Sequence, residues 1–360
     1  MRSAMVSPFR ALGAAVLSAG TLAFAPVAYA DTISPTSFAA ALGVGESVTV
    51  RKTVVVEKAG PTDAVVDIMF VFDTTGSMGS AIAGAKASAT SVLNDLNATY
   101  GNVHSGVVQY DDPGRTMLNN LTGTIATTQA SINALSACYG SCGGDWEEVG
   151  FGGIKLAADS GSWRAGSNRF VLVFGDAPFK TGPGANDNLA GTQTSLTNTN
   201  IKLYALDYGS INYYNDITNL GGTVLPGGSS PTTVANAIKA AVSAGFATYG
   251  SVTVDDLDTG LPEIAVSTVC VSADIGACSG ADAIGAFDRT VDRSFEFDVT
   301  FTRMAAGTAA FDTYALVDRG IVAREADRFT DGGGTVPVPG SLALAGLGLS
   351  LLGLRRRKAH

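Results

Sequence analysis

Histidine is nearly absent from this chain of 360 residues: there are two, and one of them, His360, is the last residue. His104 is therefore the only interior imidazole. Serine–histidine hydrolysis, cysteine–histidine proteolysis and histidine-rich zinc catalysis all depend on well-placed imidazoles, so most hydrolytic classes are disfavoured. Charged residues are also scarce, at 15% against 46% apolar, which excludes a disordered polar chain. The scarcer sign is positive. The first 30 residues hold two basic residues and no acid, and residues 332–360 hold four and none. Setting both ends aside leaves 17 basic against 32 acidic residues. So acidic a surface repels nucleic-acid phosphates and suits cations or basic partners, so no nucleic acid is expected as a partner. No G-x-S-x-G, Walker loop, H-E-x-x-H or dinucleotide fingerprint occurs, and an enzyme is not expected.

Both ends read as processing signals. Arg2 and Arg10 precede the apolar run Ala11 to Ala25, and Ala28-Tyr29-Ala30 is an A-x-A cleavage site. Residues 1–30 therefore read as a secretory signal peptide, with Asp31 as the mature N-terminus; an uncleaved membrane anchor is the alternative. At the other end, Val336-Pro337-Val338-Pro339-Gly340-Ser341 leads into the uncharged stretch Leu342 to Leu354, stopped by Arg355-Arg356-Arg357-Lys358. That is the pattern of a short spanning segment with a basic end. It resembles the PEP-CTERM sorting tail of Gram-negative bacteria, with Val338 where glutamate is usual. The resemblance implies export to the cell envelope, surface or extracellular matrix. It also implies membrane contact through the tail, then removal of the tail by a sorting protease. A plain C-terminal anchor is the alternative. The four cysteines fall in two close pairs, Cys138 with Cys142 and Cys270 with Cys278, and read as local disulfides of an exported protein.

Between the ends the period of the apolar pattern changes. Residues 64–248 alternate buried-strand runs, such as Val65 to Phe72 and Phe170 to Phe174, with helical spacing, as at Ile82, Ala85, Ala89, Val92 and Leu96. This predicts an α/β domain with a doubly wound, mainly parallel sheet. Residues 249–330 alternate apolar and polar residues between turn clusters and predict a smaller antiparallel β-sandwich. Residues 31–63 contain strand-like segments over 46–57, expected to pair with the C-terminal strands. The α/β domain would then be an insert in the sandwich. Residues 331–335 read as a linker and 336–360 as the tail.

The chemistry gathers at strand ends. The first strand of the α/β region runs into Asp73-Thr74-Thr75-Gly76-Ser77-Met78, placing Asp73, Thr75 and Ser77 at the carboxyl edge of the sheet, where open α/β folds bind ligands. An all-oxygen set suits Mg²⁺, Mn²⁺ or Ca²⁺. The same residues also suit a helix N-cap. This segment resembles the D-x-S/T-x-S signature of von Willebrand factor type A domains, which carry a metal-ion-dependent adhesion site built from three loops. By that resemblance Glu148, in Gly143-Gly144-Asp145-Trp146-Glu147-Glu148-Val149-Gly150-Phe151, takes the place of the metal-site glutamate of integrin β subunits. Asp176, after Phe170 to Gly175, takes that of the third-loop aspartate. Gly79 and Ser80 stand where integrin β subunits have two further acids, so no second site is expected there. The resemblance implies metal-dependent adhesion, with a carboxylate from a protein or acidic polysaccharide completing the metal shell. The alternative is a structural envelope or matrix component whose metal only stabilises the fold. Asp207 reads as a rim carboxylate, His104 as a strand-edge residue, Trp146 as a partner contact or a packed aromatic, and Asp256 to Gly260 as a turn.

Overall fold

The structure is a computed structural model that describes residues 30–332 except 140, 141, 143, 144 and 210. The expected signal peptide up to residue 29, the tail 336–360 and Gly143-Gly144 of the second loop lie outside the described residues. Among the described residues no helix is long and apolar enough to cross a membrane.

The described residues begin with three strands, β1 (Thr32–Ser34), β2 (Ser37–Leu42) and β3 (Ser47–Val56). It then enters an α/β layer structure. β4 (Val65–Asp73) is followed by α1 (Gly79–Tyr100), β5 (Asn102–Tyr110), β6 (Arg115–Thr122), α2 (Ile125–Ala134) and α3 (Gly150–Ser160). β7 (Asn168–Gly175), α4 (Leu189–Thr199), β8 (Ile201–Asp207), α5 (Ile211–Asn219), β9 (Thr223–Pro226) and α6 (Pro231–Ala247) complete it. The sheet order is β6-β5-β4-β7-β8-β9, with every pairing parallel except β5 with β6.

Every residue of β4 is buried, because helices cover both faces of a central parallel strand. Its alternation sorts the two cores. Val66, Ile68, Phe70 and Phe72 pack with α1 and α6, while Met69 and Val71 pack with α3, α4 and α5. Three helices, α2, α4 and α5, escape the sequence reading, and for two of them the reason is physical. The inward face of α2 buries Thr128 and Ile132, and that of α4 buries Thr192, Ser195 and Leu196. Half-polar inner faces leave little apolar periodicity to read.

α6 runs straight into β10 (Thr248–Asp255), and then come β11 (Ile264–Ala273), β12 (Ala277–Ser279), β13 (Asp282–Asp288), β14 (Arg293–Arg303), β15 (Ala309–Val317) and β16 (Gly320–Asp331). These form two sheets, β1-β3-β14-β11 and β12-β13-β10-β15-β16-β2. β3 pairs antiparallel with β14 from Ser47↔Thr302 to Val56↔Arg293. The α/β domain is therefore inserted between β3 and β10 of the sandwich. Phe295, Phe297, Val299 and Phe301 alternate inward from β14 and are fully buried. Cys138–Cys142 and Cys270–Cys278 are disulfides. Asp256 to Gly260 forms a turn in which Asp256 Oδ2 accepts the Gly260 amide at 2.8 Å.

The two domains meet through buried Asn168, whose Nδ2 donates to Val65 O at 3.2 Å in one domain and Ile321 O at 3.1 Å in the other. A Cβ on Gly320 would stand 2.1 Å from Asn168 Oδ1. Gly320→Ala is therefore expected to displace Asn168 and destabilise the protein by about 1–3 kcal/mol, read as a lower melting temperature. An unchanged melting temperature would show that the joint yields freely.

Candidate metal centre

Three chain segments converge at the carboxyl edge between β4 and β7. The first follows Asp73 through a single 3-10 turn, Gly76–Met78, into α1. The second lies before α3 and carries Glu148. The third follows β7 and carries Asp176. Backbone pairing holds them together. Glu148 N donates to Pro178 O at 2.9 Å, and Lys180 N donates to Glu148 O at 2.9 Å, which fastens the second segment to the third. Cys138 N donates to Thr74 O at 2.8 Å, which ties the first segment to the small disulfide loop. The Thr74 amide and hydroxyl both bond Tyr110 O at the end of β5.

Asp73, Thr75, Glu148 and Asp176 are buried, and Ser77 is exposed. Asp73 Oδ1 accepts from Thr75 N at 2.8 Å and from Thr75 Oγ1 at 2.7 Å. Ser77 hydrogen-bonds Asp176. Glu148 faces Asp73 as a like charge. Each acid keeps one buried oxygen with no hydrogen-bond partner: Asp73 Oδ2, Glu148 Oε2 and Asp176 Oδ1.

The acids are accordingly hard to ionise. Burial, and then the Asp176 charge, push Asp73 up to about 7 against the opposing Thr75 hydrogen bonds. Burial and then the Asp73 charge push Glu148 up to about 8. Burial also raises Asp176. Buried carboxylates are normally paired or bound to a cation. Three unpartnered oxygens on three adjacent segments therefore lack the partner that burial calls for. Among the described residues no group of three or more His, Cys, Asp or Glu is placed to hold a metal ion on its own. The acids suit a cation only together with the Thr75 and Ser77 hydroxyls and water, which is the mixed shell that Mg²⁺ takes.

Other residues of this edge escaped the sequence reading. Tyr110 ends β5 in register with Asp73. Its fully buried hydroxyl has no hydrogen-bond partner, and burial and the charges of Asp73, Glu148 and Asp176 raise it. Tyr213 Oη, on α5, is likewise buried and unpartnered. Tyr110 could have been found as the strand-end neighbour of Asp73, and Tyr213 from the helical spacing of Tyr213, Ile217 and Leu220, all buried. Lys180 Nζ lies 2.6 Å from Asp145 and also contacts Asp112, placing a cation beside Glu148. Tyr139 and Trp146, both exposed, stand on the loops around the site. His104 sits at the opposite end of β5 from Tyr110, six residues and about 20 Å away, and takes no part. Asp207 ends β8 and accepts the Gly209 amide at 2.9 Å.

A doubly wound sheet with this three-segment edge resembles that of von Willebrand factor type A domains. Residues 67–202 match the family model "von Willebrand factor A domain". Residues 335–358 match the PEP-CTERM protein-sorting motif. A putative ariadne-like RING finger protein of Acanthamoeba polyphaga mimivirus is 28% identical over 127 residues, which are 35% of this chain and 12% of that protein. The chain thus spans about an eighth of that relative. Similar solved structures include a von Willebrand factor type A protein from Catenulispora acidiphila, with TM-score 0.42 and 14% identity over 86% of this chain and 76% of that one. Another is the SpRpn10 VWA domain, with TM-score 0.37 and 13% identity over 49% of this chain and 95% of that one. A third is proximal thread matrix protein 1 of the mussel byssus, with TM-score 0.40 and 13% identity over 55% of this chain and 48% of that one. The domain and the sorting motif together mark an exported, surface or extracellular protein with an adhesion-type domain. The motif fits a sorting signal processed by a protease.

Proposed function

We propose that this is a surface or matrix adhesion protein of a Gram-negative bacterium, binding its partner through a divalent cation, Mg²⁺ or else Mn²⁺ or Ca²⁺. The observation that carries the reading is the set of three buried, unpartnered carboxylate oxygens on Asp73, Glu148 and Asp176. Thr75 and Ser77 complete the protein's oxygen donors, and Thr75 also orients Asp73 through two hydrogen bonds. Three carboxylates exceed the charge of one divalent ion, so the site alone carries a negative excess, beside which Lys180 stands. A bound cation would supply Lewis acidity toward a partner's oxygen at the shell position that the protein leaves free. The partner is a protein or acidic polysaccharide offering a carboxylate. Tyr139 and Trp146, exposed at 77% and 55%, provide apolar contact area on the flanking loops. The site is read as binding rather than catalytic.

A structural role for the cation is the second reading. It is favoured by the depth of the acids, none of which exposes more than 9% of its surface. Calorimetric titration of the protein with Mg²⁺ and Mn²⁺, repeated on Asp73→Ala, tests the site. One ion bound by the wild type and none by the variant is the expected result. A folded wild type that binds neither ion rejects the metal site. Chelation then separates the two readings: loss of a carboxylate-bearing partner marks adhesion, while loss of stability alone marks a structural ion.

A further inference from the structure

On β3 and β16 the sandwich buries three ionisable side chains of mixed sign at positions where these strands otherwise turn apolar residues inward. On β3 the inward residues are Lys52, Val54 and Val56; on β16 they are Ala323, Glu325, Asp327 and Phe329. The two strands belong to opposite sheets, so Lys52 meets Glu325 and Asp327 across the middle of the core. Lys52 and Glu325 expose none of their side chains. Lys52 Nζ contacts Glu325 Oε2 and lies 3.8 Å from Asp327 Oδ1 and 5.0 Å from the centre of the Phe301 ring. Thr313, opposite Glu325 on β15, donates its hydroxyl to Asp327 Oδ2. Glu325 Oε1 and Asp327 Oδ1 have no hydrogen-bond partner.

As an ion pair this arrangement is poor. The ammonium has three N–H groups to place and meets two carboxyls and a ring face, while two carboxyl oxygens stay unsatisfied in an apolar core. A nucleophile and an acyl carbon held together without water are, however, the conditions in which condensation proceeds inside a folded chain.

We propose that Lys52 and Glu325 form an intramolecular amide bond, with Asp327 as the proton acceptor. The Lys52 ammonium gives one proton to the Asp327 carboxylate. The freed amine attacks Cδ of protonated Glu325, forming the N–C bond. The Glu325 hydroxyl leaves as water, carrying a second proton from the nitrogen. An ammonium, a carboxylate and a carboxylic acid thereby become an amide, a carboxylic acid and one water, with atoms and charge balanced and no oxidant or reductant needed. Burial raises Glu325 to about 7, which keeps it in the protonated form that can be attacked. Burial raises Asp327 as well, but there the Lys52 charge and the Thr313 hydrogen bond oppose it, toward the carboxylate that takes the proton.

The bond would join a strand before the inserted α/β domain to the last strand before the sorting motif. Tension between that domain and the tail would then pass through a covalent link rather than through the hydrogen bonds of β3 with β14. That suits a surface protein whose α/β domain is held by a partner.

Peptide mapping of the purified full chain, denatured, reduced and cut with trypsin, tests this. Lys52 in an amide is not cleaved, so the expected product is a branched species. It joins Lys52–Lys58 to Glu325–Arg328 and is lighter by one water than the two separate peptides. Its fragmentation spectrum should place the bond on Glu325. Finding residues 53–58 and 325–328 only as separate linear peptides overturns the proposal. A bond placed on Asp327 overturns the assigned acyl partner. Asp327→Leu, of similar volume, should yield folded protein in which the separate peptides replace most of the branched one. Full linkage in that variant would overturn the proton-acceptor role. If the variant does not fold, the wild-type map decides the proposal alone.

Discussion

Mg²⁺ is expected to raise the melting temperature of the protein, and to raise it more at about pH 8.5 than at about pH 5. The sign follows from the acids of the candidate centre. Asp73 and Glu148 are raised to about 7 and about 8 in the folded protein, well above ordinary carboxyl values near 4. A raised carboxyl contributes stability that is fully present below the unfolded value and is lost as pH climbs through the folded one. The metal-free protein should therefore weaken between about pH 4 and about pH 8, as unpaired carboxylates ionise in a buried site. A bound cation reverses this, because it requires the ionised forms and competes with protons for them. Each kcal/mol moves the midpoint by about 2–4 °C for a domain of this size, and differential scanning fluorimetry resolves such shifts. Comparing the protein with and without cation at each pH separates the centre from Glu325 in the sandwich, which is also raised. A cation effect that is flat with pH, or greatest in acid, would reject Asp73 and Glu148 as the ligands.

Gly150→Ala should disable the centre without touching a candidate ligand. Gly150 opens α3 two residues after Glu148, and a Cβ there would fall 2.1 Å from Phe179 Cδ1 and Cε1. Phe179 cannot retreat easily. Its ring packs against Phe151 at 5.3 Å, Tyr213 at 5.2 Å and Tyr110 at 6.3 Å. The strain must pass either into the start of α3, and so to Glu148, or into Tyr110 and Tyr213 beneath the acids. Overpacking of this kind costs about 1–3 kcal/mol. The expected result is a lower melting temperature together with at least tenfold weaker Mg²⁺ binding, equivalent to about 1.4 kcal/mol. Wild-type Mg²⁺ affinity in the folded variant would show that Glu148 is not a ligand or that its loop moves independently of Phe179.

The parts of this protein legible from sequence were those with strong local causes. Val65 to Phe72 had to be a central strand, because a run so apolar needs both faces covered. Asp73 and Asp176 stood out because each follows such a run, at the edge where a parallel sheet opens to ligands. The cysteine pairs were close enough to read as local bonds. Local causes were absent where the fold spends polar residues inward. α2 and α4 bury threonine and serine, so their periodicity vanished. Tyr110 and Tyr213 come together only in the tertiary structure, where both lie against Gly175 at the end of β7.

The sequence by itself determined which segments could be strands, which strand ends carried carboxylates, and that the C-terminal segment has the character of a sorting signal. Only the tertiary structure decided that the acids of three distant segments share one buried edge with an oxygen left unpartnered on each. Only it decided that Lys52 faces Glu325 across 272 intervening residues. The physical reason is range. Hydrophobic period and strand-end chemistry are set by residues a few positions apart. The pairing of one charge with another inside a core depends on which sheets close over it, and a whole domain separates the two strands that meet there.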